Sequence, residues 1–388
     1  VERLRARPGT RGLVTGVGWY LTKHAVGIYQ SAPPAHEFAR VEPATYQATI
    51  DAEPHPDLAL TPDGAATVET YTVTHDRDGN PSLGIVIGGL ASGVTFALSG
   101  PVKQYGPLFL AIGAASSVVE QAFEGYPLFF HYHPWDYHNV AAALQFFQYL
   151  NREHGAKKVA ILYEDGPFGS AGIKVYQEQL KKLGYKVQAE PYKTGSGQFT
   201  PILTRFRAFQ PDILYWIGYD VDALPIAAQT RQVGLRPKLI YGAPPSWPIG
   251  FEKNPLSQDV AGMTAWLPTL SNLESRRFVE AYRKKYGEVT EEYMAPMGYV
   301  IAKSLALAAE RAGSADKNRI AEALAGLTMD TPFGRLSFKP SDTGKTRYQG
   351  FGPEIWLQFQ YIQGTRRPVF PKEKASVPLR YPGEYYLR

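Results

Sequence analysis

A repeating strand–loop–helix rhythm runs through residues 158–242. Unbroken apolar runs such as KVAILYED, DILYWIG and KLIYG alternate with segments whose apolar residues, for example Ile173, Tyr176 and Leu180, recur on one helical face. Buried parallel strands are typically continuous apolar runs, and the helices that connect them carry an apolar stripe on one side. The pattern therefore predicts an α/β fold with a doubly wound, parallel sheet.

The loops that follow these strands are the first candidates for a binding site, because ligands of open α/β sheets bind beyond the carboxyl ends of the strands. Three aromatic residues stand in those loops, namely Phe168, Tyr219 and Trp247. Aromatic rings at the edge of a cleft enclose an apolar ligand with a large contact area and little loss of entropy. The alternative is that each ring packs beneath its own loop.

The same rhythm begins near residue 83 and continues toward the end of the chain. One-sided apolar stripes predict further helices over 140–150, 297–308 and 317–326, whereas FGRLSF and EIWLQFQYI return to a strand pattern. The stretch before residue 83 has a different, β-rich pattern. There, two alternating segments flank Asp78-Gly79-Asn80, a combination that predicts a β-hairpin.

The composition excludes several classes of function. The chain has 388 residues, of which 44% are apolar and 20% are charged, and this balance is typical of a globular protein. The net charge is +5 and the Lys and Arg residues are scattered, so no nucleic-acid-binding surface is expected. No cysteine occurs, which excludes disulfides, zinc–thiolate sites and a cysteine nucleophile. No apolar run reaches the ~18 residues of a membrane span, and the polar opening VERLRARPGTRG does not have the pattern of a signal peptide.

Serines stand at the heads of two predicted helices. Ser92 follows the apolar run LGIVIGGL, and Ser116 and Ser117 follow LFLAIGAA. A serine at the start of a helix places a hydroxyl beside free backbone N–H groups, an arrangement suited to binding a carboxylate. The alternative is an ordinary helix cap, and Ser117 with Glu120 also has the spacing of a capping box. Two such serines after successive strands favour a binding edge.

Histidines cluster in the segment HYHPWDYH. Alternate residues of a strand share a face, so His131 and His133 could bind one metal ion, with His138 and Asp136 nearby. No further ligand has a recognisable spacing, and Pro134 ends the strand. A connection between domains is therefore the favoured interpretation, and no metal site is predicted. The chain also contains no GxSxG or HExxH motif, so no catalytic residue is assigned.

From about residue 85 the chain resembles the type I periplasmic solute-binding proteins of ABC transporters, specifically the branched-chain amino-acid (Leu/Ile/Val) binding family. The matching stretches appear in the order of that family: IGGLASGVTFALSGPVKQYG, FLAIGAASSVVEQ, KVAILYEDGPFGSAGI, DILYWIGYDVDALPIAAQTRQVGL and MGYVIAKSLALAAERAG, followed by FGRLSF. Together they cover roughly three-quarters of the chain.

The resemblance implies two doubly wound, Rossmann-like lobes that are joined by three crossovers at a hinge and close on a small solute without chemistry. It implies neither an enzyme nor a cofactor, and it implies a periplasmic or extracytoplasmic monomer that presents an amino acid, amide or carboxylate to the ABC permease of the membrane. The expected domains are an N-terminal segment of residues 1–82, lobe I of residues 83–131 and 269–326, and lobe II of residues 132–268 and 327–388.

The same resemblance assigns ligand-binding roles on the lobe I side. Ser92 is expected to bind the carboxylate of the ligand. Ala115 and Ser117 are expected to offer backbone and hydroxyl contacts to its carboxylate and amino group, with Ser116 beside them.

On the lobe II side, Phe168 stands where the family often has Tyr, and Tyr219 matches a Tyr that contacts the polar end of the ligand. The acidic residue that often pairs with the ligand ammonium is expected near Pro244, where this chain has none. An unpaired buried ammonium is costly. The absence favours a carboxylate or amide ligand, unless a nearby acid substitutes; the candidates are Asp220, Asp222 and Glu164.

Residues 1–87 instead resemble the C-terminal region of thiolase-like acetyl-CoA acetyltransferases, in the stretches RGLVTGVGWYLTKHAVGIYQSAPP and ATVETYTVTHDRDGNPSLGIVIG. Thiolase chemistry needs a thiolate nucleophile, which this chain lacks, so His24 would at most be a relic base. Two alternatives to a transport receptor stay open at this point: a sensory or regulatory ligand-binding protein of the same fold, and an inactive acetyltransferase-like fusion.

Overall fold

The computed structural model describes residues 91–244, 247–289 and 293–383 with their side chains, and the backbone of five further strands before residue 91. The chain divides into two compact units, residues 1–71 and 72–388. In the first unit, strands β1 (Arg11–Gly18) and β2 (Lys23–Gln30) form an antiparallel hairpin with Arg11 opposite Gln30. His24 lies in β2, where the structure describes the backbone alone.

The second unit alternates strands and helices. The strands are β3 (Thr74–His75), β4 (Pro81–Leu83), β5 (Ile85–Gly88), β6 (Leu108–Ala111), β7 (Phe129–His131), β8 (Lys158–Glu164), β9 (Lys186–Tyr192), β10 (Ile213–Ile217), β11 (Leu239–Gly242), β12 (Ala261–Thr264), β13 (Thr328–Thr331), β14 (Gly334–Ser337), β15 (Tyr348–Gln349), β16 (Leu357–Ile362) and β17 (Thr365–Phe370). The helices are α1 (Ser92–Tyr105), α2 (Ser117–Ala122), α3 (Asp136–His154), α4 (Pro167–Ala171), α5 (Ile173–Lys182), α6 (Thr200–Phe209), α7 (Ala223–Gln232), α8 (Leu273–Tyr286), α9 (Met294–Ala312) and α10 (Lys317–Ala325).

The smaller sheet of this unit has the order β15-β7-β6-β5, and all of its pairs are parallel. The first strand of this sheet along the chain is β5, which follows the predicted hairpin in the sequence. The strands of that hairpin, β3 and β4, pair with each other in an antiparallel ladder. Strand β15 differs from the sequence prediction, which placed residues 327–388 in lobe II. Tyr348 and Gln349 pair with Phe130 and His131, so the chain returns to lobe I before it enters the larger sheet.

The larger sheet has the order β17-β16-β12-β11-β10-β8-β9. Strands β8 to β12 are parallel to one another. Strand β16 pairs with β12 in the antiparallel direction, and β17 pairs with β16 in the same way at the edge of the sheet. The central strands are buried, as their unbroken apolar sequences predict. Leu162 and Trp216 are fully buried on one face, whereas Ile161 and Tyr215 are fully buried on the other.

The direction in which the larger sheet is wound changes at β8. This strand lies between β9, which follows it along the chain, and β10, which continues the sheet toward the opposite edge. At such a switch point the loops after the two neighbouring strands separate and leave a crevice. Phe168 follows β8 and Tyr219 follows β10, so both stand at the crevice.

Three short segments carry the chain between the two sheets: residues 132–135, 265–272 and 350–356. They agree with the three crossovers that the resemblance implies. No helix among the described residues is long and apolar enough to span a membrane.

The packing of β12 generates a stability prediction. A Cβ at Gly262 would lie 2.6 Å from the ring of Phe359 and 2.8 Å from the ring of Trp247, both of which are buried. Gly262→Ala is therefore expected to lower the free energy of unfolding by about 1–3 kcal/mol through overpacking. As a control, Gly298→Ala in the interior of α9 meets only Ile112, at 3.8 Å, and should raise stability by about 0.5–1 kcal/mol. Urea unfolding measures both, and equal effects would contradict the packing described here.

Candidate functional site

Ser92 is the first residue of α1 and is almost fully buried. The residue that caps this helix is Ala91, which provides no side-chain hydrogen bond. The hydroxyl of Ser92 reaches across to the next loop instead, where its Oγ accepts a hydrogen bond of 3.2 Å from the backbone N–H of Ser116. Ser92 is thus not an ordinary cap of α1, because its hydroxyl joins the two serine loops.

Ser116, and not Ser117, caps α2. Its Oγ accepts a hydrogen bond of 3.3 Å from the N–H of Val118. The capping box suggested for Ser117 and Glu120 is therefore wrong. Glu120 accepts a hydrogen bond of 2.7 Å from the hydroxyl of Thr343, a contact between residues distant in the sequence.

The side chain of Asp136 is the hydrogen-bond partner of the N–H of Ser117. Its Oδ2 accepts two hydrogen bonds of 2.8 Å, one from the N–H and one from the hydroxyl of Ser117, and its own N–H donates to the carbonyl of Ala115 at 2.6 Å. Burial raises the pKa of Asp136, the hydrogen bonds from Ser117 and Tyr137 oppose the rise, and the charge of Glu120 adds to it. The backbone groups that the resemblance offers to a ligand thus already have an internal partner. The hydroxyl oxygen of Ser117 keeps lone pairs for a further donor.

Phe168 and Tyr219 lie together on the lobe II side, with their ring centroids 5.3 Å apart. Phe168 is carried by α4, a five-residue helix that contacts α1 and α2 of the smaller-sheet side. Tyr219 stands where β10 ends, just before a short 3-10 turn (Asp220–Asp222). Both side chains are partly buried, so each keeps some exposed surface.

Tyr219 makes the contact that joins the two halves of the site. The backbone N–H of Ser92 lies close enough to its hydroxyl to lower the pKa of Tyr219. Burial raises the pKa of Tyr219, the charge of Glu164 raises it further, and the backbone N–H of Ser92 opposes both. The phenol is therefore neutral at physiological pH, and its proton can be donated to an oxygen atom placed in the cleft.

Trp247 lies away from this group. It is buried, its indole N–H donates to the carbonyl of Ala261 at 2.9 Å, and its ring stacks on Phe251 with the centroids 4.9 Å apart. Trp216 meets it edge-on at 5.0 Å. The proposed ligand contact of Trp247 is thus not supported: the ring packs beneath its own loop in the core of the larger-sheet lobe.

The surroundings of the histidines support the interpretation of this segment as a connection between domains. His131 stacks on Trp135 with ring centroids 3.6 Å apart and contacts Gln349 and the carbonyl of Gly113, at 3.1 and 2.8 Å. The pKa of His131 is lowered to about 3, mainly by burial and also by the charge of His133. The pKa of His133 is lowered to about 4, mainly by burial and also by the charge of His138. Both rings are therefore neutral and pack where β7 ends and the first crossover begins. No group of three potential metal ligands occurs among the described residues.

The three acids that could replace a carboxylate near Pro244 each have a defined place. Asp220 is exposed. Asp222 is buried, and its Oδ1 accepts a hydrogen bond of 2.9 Å from the N–H of Gly195. Glu164 faces Tyr219, but both of its oxygens accept backbone hydrogen bonds of 2.6 Å, from Gly166 and Gly169. Of the three, Glu164 thus has both carboxylate oxygens bound, whereas the buried Oδ2 of Asp222 has no hydrogen-bond partner among the described residues.

A family model described as "Periplasmic binding protein" matches residues 80–348, well over half of the chain. The chain belongs to this family. The match begins close to residue 85, where the resemblance was placed, and the predicted fold class is confirmed: α/β, two doubly wound lobes with a hinge, the type I periplasmic-binding-protein fold. Most of residues 1–87 lie outside the match, so their resemblance to thiolase-like enzymes stays a prediction.

Curated relatives are about one-quarter identical to the chain over the aligned stretch. The Leu/Ile/Val-binding protein homolog 7 of Brucella abortus is 24% identical over 249 residues, which are 60% of this chain and 60% of that protein. The leucine-, isoleucine-, valine-, threonine- and alanine-binding protein of Pseudomonas aeruginosa is 23% identical over 195 residues, 49% of this chain and 51% of that one. The chain thus spans between half and two-thirds of the length of these relatives.

Solved structures share the fold. A leucine-binding protein of Thermotoga maritima has a TM-score of 0.63 and 19% identity and covers 76% of this chain and 80% of its own. A solute-binding protein of an ABC transporter of R. palustris, in complex with benzoate, has a TM-score of 0.63 and 16% identity and covers 77% of this chain and 78% of its own. At this level of identity, the likeness is one of fold.

The buried carboxylate of Asp136 generates a pH prediction. Its pKa is raised in the folded state, so between the ordinary value of 3.8 and the folded value the native state holds a proton that the unfolded chain has lost. The contribution of Asp136 to stability is therefore largest below pH 3.8 and falls as the pH rises through the folded-state pKa. Asp136→Asn removes this dependence.

Urea unfolding of both proteins at several pH values from 4 to 7 tests the prediction. The difference in unfolding free energy, wild type minus Asp136→Asn, should decrease as the pH rises, whatever its absolute value. A difference that stays constant or increases with pH would contradict the assignment.

Proposed function

We propose that this chain is the extracytoplasmic solute-binding component of an ABC importer, which binds a small amino acid, amide or carboxylate with an apolar body between its two lobes. The observation that carries the proposal is the meeting of Ser92 and Tyr219. These residues follow strands of two different sheets, and the backbone N–H of one lies near the hydroxyl of the other. Membership of the periplasmic-binding-protein family supports it.

The polar end of the ligand lies, in this proposal, between Ser92 and Tyr219. The Oγ of Ser92 is an acceptor for the N–H of Ser116, and the oxygen of Tyr219 lies near the backbone N–H of Ser92. Each hydroxyl therefore keeps its proton for an acceptor supplied by the ligand, such as a carboxylate or amide oxygen. The first turns of α1 and α2 add partial positive charge, which favours a negative group at the same place.

The apolar end of the ligand lies against Phe168. A phenylalanine offers the ring surface of a tyrosine without a polar atom, so this wall recognises apolar surface alone. The sequence has no acid beside Pro244, and both carboxylate oxygens of Glu164 already accept backbone hydrogen bonds. An α-ammonium group would therefore lose more hydration than it regains in contacts. We expect a carboxylate or an amide to be preferred over the corresponding amino acid.

The names of the similar proteins include both kinds of solute. Branched-chain amino acids appear in the names of the Brucella and Pseudomonas relatives, and benzoate is bound in the R. palustris structure. For this chain, the partner in the proposal is an ABC permease that accepts the solute when the lobes open, and a monomer is sufficient for this role. Neither a cofactor nor a chemical step is needed.

A matched panel of solutes tests the proposal. The pairs are L-leucine with 4-methylpentanoate and L-phenylalanine with 3-phenylpropanoate, together with benzoate and benzamide. A ligand at 100 times its Kd should stabilise the native state by about 2.7 kcal/mol, because it binds the folded chain alone. Within each pair, the molecule without the ammonium should give at least the same rise in Tm.

Glycerol and acetate at the same concentrations serve as controls. Stronger stabilisation by L-leucine than by 4-methylpentanoate would contradict the expected preference. No rise in Tm with any of the six solutes would contradict the proposed ligand class.

The hydroxyl of Tyr219 is expected to be needed for binding. Tyr219→Phe removes the proton donor and its contact with the backbone N–H of Ser92 but keeps the ring against Phe168. One hydrogen bond of this kind contributes about 0.5–1.5 kcal/mol, so calorimetry should show Kd for the best panel solute rising by about two- to tenfold.

The matched control is Tyr185→Phe, since the hydroxyl of Tyr185 is buried and donates to the carbonyl of Phe147 at 2.7 Å in the lobe II core. Tyr185→Phe should lose about as much stability as Tyr219→Phe and keep the wild-type Kd. A Tyr219→Phe protein with unchanged Kd would remove Tyr219 from the site.

A further inference from the structure

Glu164 is a buried acid at the end of β8, and its carboxylate is used entirely within the loop that follows. One oxygen accepts a hydrogen bond of 2.6 Å from the N–H of Gly166, and the other accepts one of 2.6 Å from the N–H of Gly169. The side chain is thus a bridge from the last residue of the strand to the middle of α4. Hydrogen bonds to a charged group are the stronger kind.

The two glycines are required by the closeness of this bridge. A Cβ at Gly169 would lie 2.3 Å from the backbone oxygen of Glu164, and a Cβ at Gly166 would lie 2.6 Å from its carboxylate. The backbone of α4 can therefore approach the end of the strand only where these positions lack side chains. The neighbouring N–H of Asp165 is bound by the carbonyl of Tyr192 at 2.9 Å, which fixes the start of the loop.

The helix held in this way carries Phe168 and lies between the two lobes. Phe168 packs against Tyr219, and α4 contacts α1 and α2, the helices that begin at Ser92 and Ser117. A helix of five residues is too short to be stable by itself. Its position has to come from contacts outside the helix, and the carboxylate of Glu164 provides two of them.

We propose that Glu164 is a positioning residue of the binding site: its carboxylate holds α4 so that the ring of Phe168 stands against Tyr219 and forms the apolar wall of the cleft. This inference rests on the proposed function for the role of Phe168 and adds a residue that touches no solute. It also explains why Glu164, although it faces Tyr219, is not the acid that pairs with a ligand ammonium. Both of its oxygens are already bound by backbone groups.

The first experiment needs no ligand. Glu164→Gln keeps the shape of the side chain but replaces one acceptor oxygen by an NH₂ group, which cannot accept a hydrogen bond. Amide hydrogen exchange of a peptide covering residues 165–171 should become faster by about tenfold or more, as expected for a lost hydrogen bond to a charged acceptor. Exchange of peptides from the other parts of the larger sheet should stay unchanged.

Glu190→Gln is the matched control. Glu190 lies on β9, opposite Leu162 of β8, and its carboxylate binds Arg205 through two hydrogen bonds of 2.9 and 3.2 Å. This variant removes one acid from the same sheet and breaks an ion pair without touching α4. Its exchange over residues 165–171 and its solute affinity should match the wild type.

The second experiment is a double-mutant cycle with Phe168→Ala, measured by calorimetry with 3-phenylpropanoate and with L-leucine. If Glu164 acts through Phe168, Glu164→Gln should raise Kd about tenfold in the wild-type background and less than twofold in the Phe168→Ala background. Glu164→Asp keeps the charge but shortens the reach, so it should bind solute as weakly as Glu164→Gln.

Three results would overturn the proposal: unchanged exchange over residues 165–171 in Glu164→Gln, an equal loss of affinity in both backgrounds, or full affinity in Glu164→Asp. The last would mean that the charge of residue 164, and not the placement of Phe168, matters for binding. If the wild type binds neither solute, the proposed function fails, and the exchange result alone decides whether Glu164 holds α4.

Discussion

The proposed site depends on one contact between the two lobes, where the backbone N–H of Ser92 lies near the hydroxyl of Tyr219. It forms only where the carboxyl ends of strands from two separate sheets face each other. Three short crossovers make that arrangement possible, and the first is fixed by neutral, buried histidines. A small molecule between the lobes would therefore touch both, so that solute binding and the relative position of the lobes are coupled.

The polar groups of the site are arranged before any ligand arrives. Ser92 is bound to Ser116, Ser117 is held by Asp136, and Tyr219 lies near the backbone N–H of Ser92. Their orientation therefore costs little further entropy when a ligand binds, which is the basis of preorganised recognition. What remains for a solute is a pair of hydroxyl protons and an aromatic wall. In the proposed function, that combination selects for an acceptor group on an apolar body.

The sequence predicted the strands and helices well because their apolar residues follow simple periods. Strands β8, β10 and β11 lie where the continuous apolar runs placed them, and Tyr219 was found because it directly follows one such run. Contacts between residues distant in the sequence could not be predicted from local patterns. Nothing local shows that Asp136 would bind Ser117, 19 residues before it, or that Trp247 would turn into the core. Strand β15 has two residues, too few for any period to reveal.

A distance measured across the cleft tests the central claim most directly. The chain contains no cysteine, so Val94→Cys and Val221→Cys, at positions that are 59% and 60% exposed, can carry spin labels on α1 and beside Tyr219 without other labelled sites. Pulsed electron paramagnetic resonance should show a broad distance distribution without solute and a shorter, narrower one with saturating 3-phenylpropanoate. Identical distributions in the two samples, with solute bound, would contradict a receptor whose lobes close around it.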